Sequence, residues 1–113
     1  MKTKILLQLT IVTALLTVTA EKAFAAEAQE VWEKNCAACH GKDGKGETKM
    51  GKKAGCKDYT DAKNQADLTD ERILKAIKDG VKDGEKEKMK SFAEKVSDDE
   101  AKALVAYLHA FKK

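Results

Sequence analysis

After one stretch that is apolar nearly throughout, the apolar positions of this 113-residue chain recur at helical spacing. The first stretch runs from Ile5 to Val18 and is interrupted only by Gln8 and threonines. Met1-Lys2-Thr3-Lys4 gives it a basic start, and Ala23-Phe24-Ala25 offers small residues at cleavage spacing, the three-part pattern of a secretory signal peptide. A bilayer span needs roughly 20 mostly apolar residues, and this run is shorter and dotted with polar ones. A leader over residues 1–25 is therefore expected, with Val18-Thr19-Ala20 as a second cleavage point and a retained anchor as the alternative. Residues 26–113 then form a single domain.

Within that domain the pattern predicts about three main helices. The first runs from Ala26 or Glu27 toward position 40. The second starts at Thr69, a good N-cap, with Asp70 and Glu71 in the first turn where the helix dipole favours acids. Ile73, Leu74 and Ile77 line one face, and Gly80 stops it. The third opens on Ser97 and Glu100, spaced as a capping box. Its stripe is Ala101, Leu104, Leu108 and Phe111, with Val105 and Tyr107 on the flanks and Lys112 and Lys113 at its end. A short helix is expected over Asp61 to Ala66. Residues 42–60 and 81–95 read mainly as loop. The chain has no proline, and no apolar–polar alternation is long enough for a half-buried strand. The fold class is all-α.

Composition adds a constraint. Residues 26–113 hold 19 basic and 18 acidic side chains, so 37 of 88 are charged and the net is +1. This balance argues against nucleic-acid binding. Only 17 large apolar or aromatic residues remain for a core. Domains this small usually need a staple or a bound group.

Cys36-Ala37-Ala38-Cys39-His40 supplies a candidate for that group. Cys-x-x-Cys-His is the attachment signature of c-type haem, each thiol adding to one vinyl group and the histidine offering a ring nitrogen to iron. In a helical turn, residues three and four apart share a face. Cys36, Cys39 and His40 are thus presented together, with Trp32 one turn earlier and Gly41 able to end the turn. A dithiol redox pair would need strands alternating with helices around it. A zinc site would need a second ligand pair, whereas Cys56 and His109 stand 53 positions apart. Cys56 is left unpaired in an exported chain, read as a small buried apolar residue or as an oxidisable or intermolecularly bonded thiol.

A second axial ligand has two methionine candidates. Met89, in the stretch before the last helix, is better placed to reach the far face of a haem than Met50, which reads as a packing or surface residue. His109 falls on the solvent flank of its helix and reads as a surface histidine. Gly41, Gly44 and Gly46 fail the P-loop pattern because Glu47 follows Gly46. Asp79 to Lys90 fails as a calcium loop, since Lys90 stands where a bidentate Glu is required.

Taken together, these motifs resemble a small monohaem bacterial cytochrome c, across the whole of residues 26–113. The resemblance rests on Val31-Trp32, Cys36 to Gly41, Ile77 to Gly80, Met89-Lys90-Ser91-Phe92, and Val96 to Glu100 leading into Leu104 to Leu108. It implies loops and helices wrapped around one covalent haem c, with His40 and Met89 as axial ligands. It also implies a contact of Trp32 with Tyr107 between first and last helices. It further implies a non-enzymatic, monomeric electron carrier outside the cytoplasm, periplasmic in a bacterium, serving larger redox proteins such as an oxidase, reductase or dehydrogenase. Two departures stand out. Lys90 replaces a proline common after the axial methionine. No proline follows the haem motif, so another carbonyl between Lys42 and Lys57 is expected to hold the axial histidine's N–H. Tyr59 is a candidate donor to a haem propionate.

With both axial positions filled no site is open to substrate, which suits electron transfer. The alternative is a haem protein with a labile sixth ligand that binds a small gas or reacts with peroxide. A third reading is a module detached from a larger haem complex. Lys42, Lys45, Lys49, Lys52, Lys53 and Lys57 against Asp43 and Glu47 give residues 41–57 a net of +4, either a solvated loop or a docking side for acidic partners.

Overall fold

Six helices and one small hairpin make up residues 24–113, the part of the chain that the computed structural model describes. The expected leader lies, but for its last two residues, outside the described residues. Helix α1 covers residues 24–35. It is followed by α2 (Ala37–His40), α3 (Lys49–Ala54), α4 (Ala62–Ala66), α5 (Asp70–Asp79), strands β1 (Val81–Asp83) and β2 (Lys86–Met89), and α6 (Asp98–His109). Among the described residues no helix is long and apolar enough to cross a membrane.

The caps explain the boundaries. Thr69 Oγ1 accepts from the Arg72 N–H at the start of α5. At α6, Ser97 and Glu100 bond reciprocally, each side chain accepting from the other's backbone N–H at 3.1 and 3.0 Å. Those bonds hold the Glu100 carboxyl below the usual carboxylate range. A depressed folded value means that its contribution is present at neutral pH and vanishes as pH falls through that value. Between about pH 5 and pH 3, thermal melts should therefore fall more steeply for wild type than for Glu100→Ala.

Two stretches read as loop contain structure. Thr48 caps α3, its hydroxyl accepting from Gly51 N–H, and Gly55 closes it in the left-handed region. Strands β1 and β2 pair antiparallel, with Lys82 opposite Glu87 and Asp83 opposite Lys86, and a bulge after Val81. Gly84 and Glu85 form the two-residue turn, with φ +61° at Gly84. Glycine at the first central position is what a two-residue hairpin turn of this kind calls for.

The core is small. Val31, Trp32, Ile73, Ile77, Phe92, Val96, Leu104, Val105 and Leu108 are buried together with Cys36, Ala37 and Ala101. Leu104, on α6, is the most deeply placed, at 1% exposure. Helix α6 packs on α5, and Trp32 carries α1 into the same cluster. Met50, read as a packing or surface residue, is 59% exposed, and Val81 is 41% exposed.

His109 is not the plain surface residue its helical position predicts. Its Nδ1 lies 2.9 Å from Gln65 Oε1 and its Nε2 3.0 Å from Asp70 Oδ1. Gln65 is buried and already donates both amide hydrogens, to Tyr59 O and Leu108 O. Its Oε1 is therefore an acceptor, so His109 Nδ1 donates. The network ties α4, the start of α5 and the end of α6 to the backbone of Tyr59. Removing a buried hydrogen-bonding group strands its partners, so Gln65→Leu should cost about 2 kcal/mol and lower the melting midpoint by ~10 °C. Lys63→Leu on the exposed side of α4 should leave it nearly unchanged.

Candidate functional site

One helical turn gathers Cys36, Cys39 and His40. The carbonyl of Cys36 accepts from both Cys39 N–H (3.2 Å) and His40 N–H (3.0 Å). Helix α2 then ends at Gly41, whose φ of +80° no helix continues. Cys36 is buried, Cys39 and His40 are half-buried, and all three cysteines of the chain are free thiols. Burial, with the neighbouring Cys39 second, pushes the Cys36 thiol up to about 11. Burial likewise lowers the His40 imidazole below its ordinary value, which keeps the ring neutral and its nitrogen lone pair free.

Trp32 fixes this turn from one side. It is 2% exposed and donates through Nε1 to Gly41 O at 2.9 Å. Its ring lies 5.6 Å from that of His40, 5.7 Å from Tyr107 and 5.2 Å from Phe111, each tilted. The Trp32–Tyr107 contact between first and last helices is thus present. Tyr59 stacks on His40 from elsewhere, with centroids 5.4 Å apart at 26°. Its hydroxyl is pushed up to about 12, chiefly by burial and then by Cys56 and Cys36.

Helix α3 fixes the turn from below. Thr48 Oγ1 donates to Cys39 O at 2.7 Å, and Gly46 N–H donates to His40 O at 2.8 Å. A Cβ on Gly51 would run into Cys39 O, so glycine is the residue that lets α3 lie this close.

Met89 stands on a different element, at the end of β2, half-buried against the same core cluster. Gly80 makes the hairpin's return possible. Its φ is +75°, and an added Cβ would sit 2.5 Å from Met89 O. Phe92 N–H to Ile77 O (2.8 Å) and Ser91 Oγ to Lys78 O then tie the strand's exit to α5. Lys90, at the position of the missing proline, places its ammonium 5.4 Å from the Phe92 ring. Met50 lies in solvent on α3, and His109 is occupied by Gln65 and Asp70. Cys56 is half-buried where the chain leaves α3, its thiol raised by burial and by Cys39.

No carbonyl of residues 42–57 takes up the histidine ring. His40 Nδ1 is buried without a hydrogen-bond partner, and it alone is so among the described residues. The first loop carbonyl, Gly41 O, is bonded to Trp32 instead. The site therefore presents two thiols, a neutral imidazole with an unmet nitrogen, and aromatic walls. These groups fit an iron porphyrin. Among the described residues no group of three or more His, Cys, Asp or Glu is placed to hold a bare metal ion. The hairpin is the sole sheet among them, which leaves no strand framework for a thioredoxin-type dithiol. Sequence reading missed Gln65, which positions Tyr59; a lone buried glutamine gives no periodic signal.

Comparison with known proteins agrees with this chemistry. Residues 23–108 match the family described as cytochrome c oxidase, cbb3-type, subunit III. Among solved structures, the c-type cytochrome KustC0563 is 37% identical, with a TM-score of 0.68 over 76% of this chain and 98% of its own. A Tyr-to-Phe variant of that cytochrome is 36% identical, with a TM-score of 0.66 over 76% of this chain and 99% of its own. No curated protein matches. The chain belongs to the cytochrome c family, within the group of cbb3-type oxidase subunit III domains.

Proposed function

We propose that this chain is an extracytoplasmic one-electron carrier that holds a single haem c through Cys36 and Cys39, with His40 and Met89 as its axial ligands. The reading rests above all on the α2 turn, where two thiols adjoin a half-buried, neutral histidine whose buried Nδ1 has no partner. One such motif occurs in the chain, hence one haem. The iron of that haem supplies a reversible one-electron couple.

The chain's own residues do the rest. Cys36 and Cys39 anchor the group, and Trp32 and Tyr59 hold the His40 ring from two sides. Met89 brings a soft thioether from the hairpin, and thioether ligation with a dry pocket raises the potential. Gly41 and Gly80 let the two ligand-bearing segments turn back on the core. Little has to move when charge arrives, and no enzymatic step is assigned. The apolar leader supports export to the periplasm with cleavage near residue 25, leaving residues 26–113 as a soluble, monomeric domain. The family's name makes a larger redox complex, an oxidase above all, the natural class of partner.

A second reading, a haem with a labile sixth ligand, draws on one observation. Residues 81–87 of the hairpin that carries Met89 are all exposed, so few packing contacts hold that element down. Visible spectra of the secreted protein test both. A carrier cycles between oxidised and reduced forms, shows the methionine–ferric charge-transfer band, and resists added cyanide and carbon monoxide. Rapid binding of either ligand would select the second reading.

A further inference from the structure

Cys56 is the thiol that the carrier reading leaves without a task, and two glycines bring it against the attachment turn. Gly46 N–H donates to His40 O at 2.8 Å, and a Cβ added to Gly46 would lie 3.0 Å from Cys56 Cβ. Cys56 N–H donates to Gly51 O at 2.8 Å, and a Cβ added to Gly51 would run into Cys39 O. One layer of backbone without side chains thus separates Cys56 from Cys39 and His40. Gly51 has an ordinary helical φ, so close approach and not a left-handed turn calls for glycine there.

The side chains gather as well. Burial, and after it the charge on Cys39, raises both of the other thiols. Tyr59, stacked on His40, feels Cys56 and Cys36 in turn. The three thiols and Tyr59 therefore form one cluster beside the histidine. Cys36 is buried, whereas Cys39 and Cys56 are half-buried and open to a reagent from solvent. The two stand 17 positions apart. The bonds that bring them together, from Thr48 Oγ1 to Cys39 O and from Cys56 N–H to Gly51 O, lie within residues 39–56. Their meeting therefore does not need the core that the bound group completes. Closing a loop of this length restricts the unfolded chain, which is the main stabilising effect of a disulfide.

We propose that Cys56 is a third working thiol of the attachment site, which pairs with Cys39 in a disulfide in the haem-free chain and so withholds Cys39 from the haem until a dithiol reduces the bond. The oxidant is a disulfide-bearing protein of an oxidising compartment. The Cys39 thiolate attacks one sulfur of that disulfide, and the partner's other sulfur leaves as a thiolate and takes up a proton. The Cys56 thiolate then attacks the Cys39 sulfur, forming the Cys39–Cys56 bond and releasing the partner as a dithiol. Two thiols of this chain have lost two electrons and two protons, and the partner disulfide has gained them. A dithiol reductant runs the same steps in reverse. This rests on the haem-attachment reading and adds the redox step that precedes it.

The full chain, exported by a host that lacks c-type haem maturation, is quenched in acid, alkylated and digested without reduction. Cleavage after lysine puts Cys36 and Cys39 on residues 35–42 and Cys56 on residues 54–57. Mass spectrometry should find these two peptides joined, with fragmentation placing the bond on Cys39 and the alkyl group on Cys36. Cys36→Ser removes the competing pair. That variant should be a monomer without free thiols, and dithiothreitol should release both. In a maturing host, a small dithiol in the medium should raise the haem yield of Cys36→Ser and leave that of Cys36→Ser/Cys56→Ser unchanged. Wild-type peptides joined only within residues 35–42, or free thiols or intermolecular dimers in Cys36→Ser, would overturn the proposal. So would an equal response of the two variants to the dithiol. A Cys39–Cys56 link in a wild-type chain that never acquires haem in the maturing host would keep the disulfide and sink the haem reading.

Discussion

Cys36→Ala/Cys39→Ala, secreted by a host that matures c-type cytochromes, should yield a colourless chain with little cooperative structure. The reason lies in the core. Its buried members are few, several are alanines, and two of the larger apolar side chains point into solvent. Domains of this size sit at the lower limit of self-sufficient folding. A group that binds the folded chain and not the unfolded one adds its binding free energy to stability, and covalent linkage makes that contribution permanent. Helices α5 and α6 have sound caps and would keep some local helicity. The hairpin, whose strands are largely exposed, has no comparable support. Far-ultraviolet circular dichroism against temperature reads the outcome. A sharp, wild-type-like transition in the colourless variant would show that the polypeptide packs unaided.

The second large effect concerns Met89. Met89→Ala should remove the charge-transfer band and admit cyanide and carbon monoxide. It should also lower the midpoint potential by something on the order of 100 mV, since axial ligands are the main lever on haem potentials. Met50→Ala should alter none of these, because Met50 lies in solvent on α3. Spectra and potentiometry of the two variants side by side separate loss of a ligand from a general effect of losing a methionine. If Met89→Ala retained the band and the potential, another side chain would hold the sixth position. The hairpin would then be a surface feature with no part in the site.

How far the sequence foretold this structure depended on whether the signal was local. Helices α5 and α6 stand where the periodicity places them, since Thr69 and Ser97 cap them and Ile73, Ile77, Leu104 and Leu108 repeat at helical spacing. The short α4 begins after Asp61, whose side chain accepts from Lys63 N–H. The Cys36 to His40 turn is legible for the same reason, because its residues are neighbours in the chain. Helix α3 was hidden. Its six residues include three lysines and a glycine, so it has no apolar face, and what holds it is contact with Cys39. The hairpin was hidden too. Both strands are largely exposed, so nothing imposes a period of two, and the Asp83-Gly84 turn alone marked it.

Long-range pairings were the other gap. Trp32 and Tyr107 were paired through resemblance to a family, whereas the meeting of His109 with Gln65, 44 residues away, had no such guide. A helical wheel puts His109 toward solvent, and only the fold shows α4 coming up to cover it. His40 Nδ1 is the instructive miss. Absence of proline pointed to a substitute carbonyl, yet the nearest one in sequence is already bonded to Trp32, and the ring nitrogen stays unpartnered. Charge had a middle status. The lysine count was plain from the start, but its placement against the Cys39 turn was not.

The most direct test of the whole account is intact-mass and peptide-fragment spectrometry of the denatured, secreted protein. The account predicts the mature chain plus one haem, with the added mass retained after denaturation and located on the peptide containing Cys36 and Cys39. A folded, unmodified chain, or added mass residing on Cys56, would contradict it.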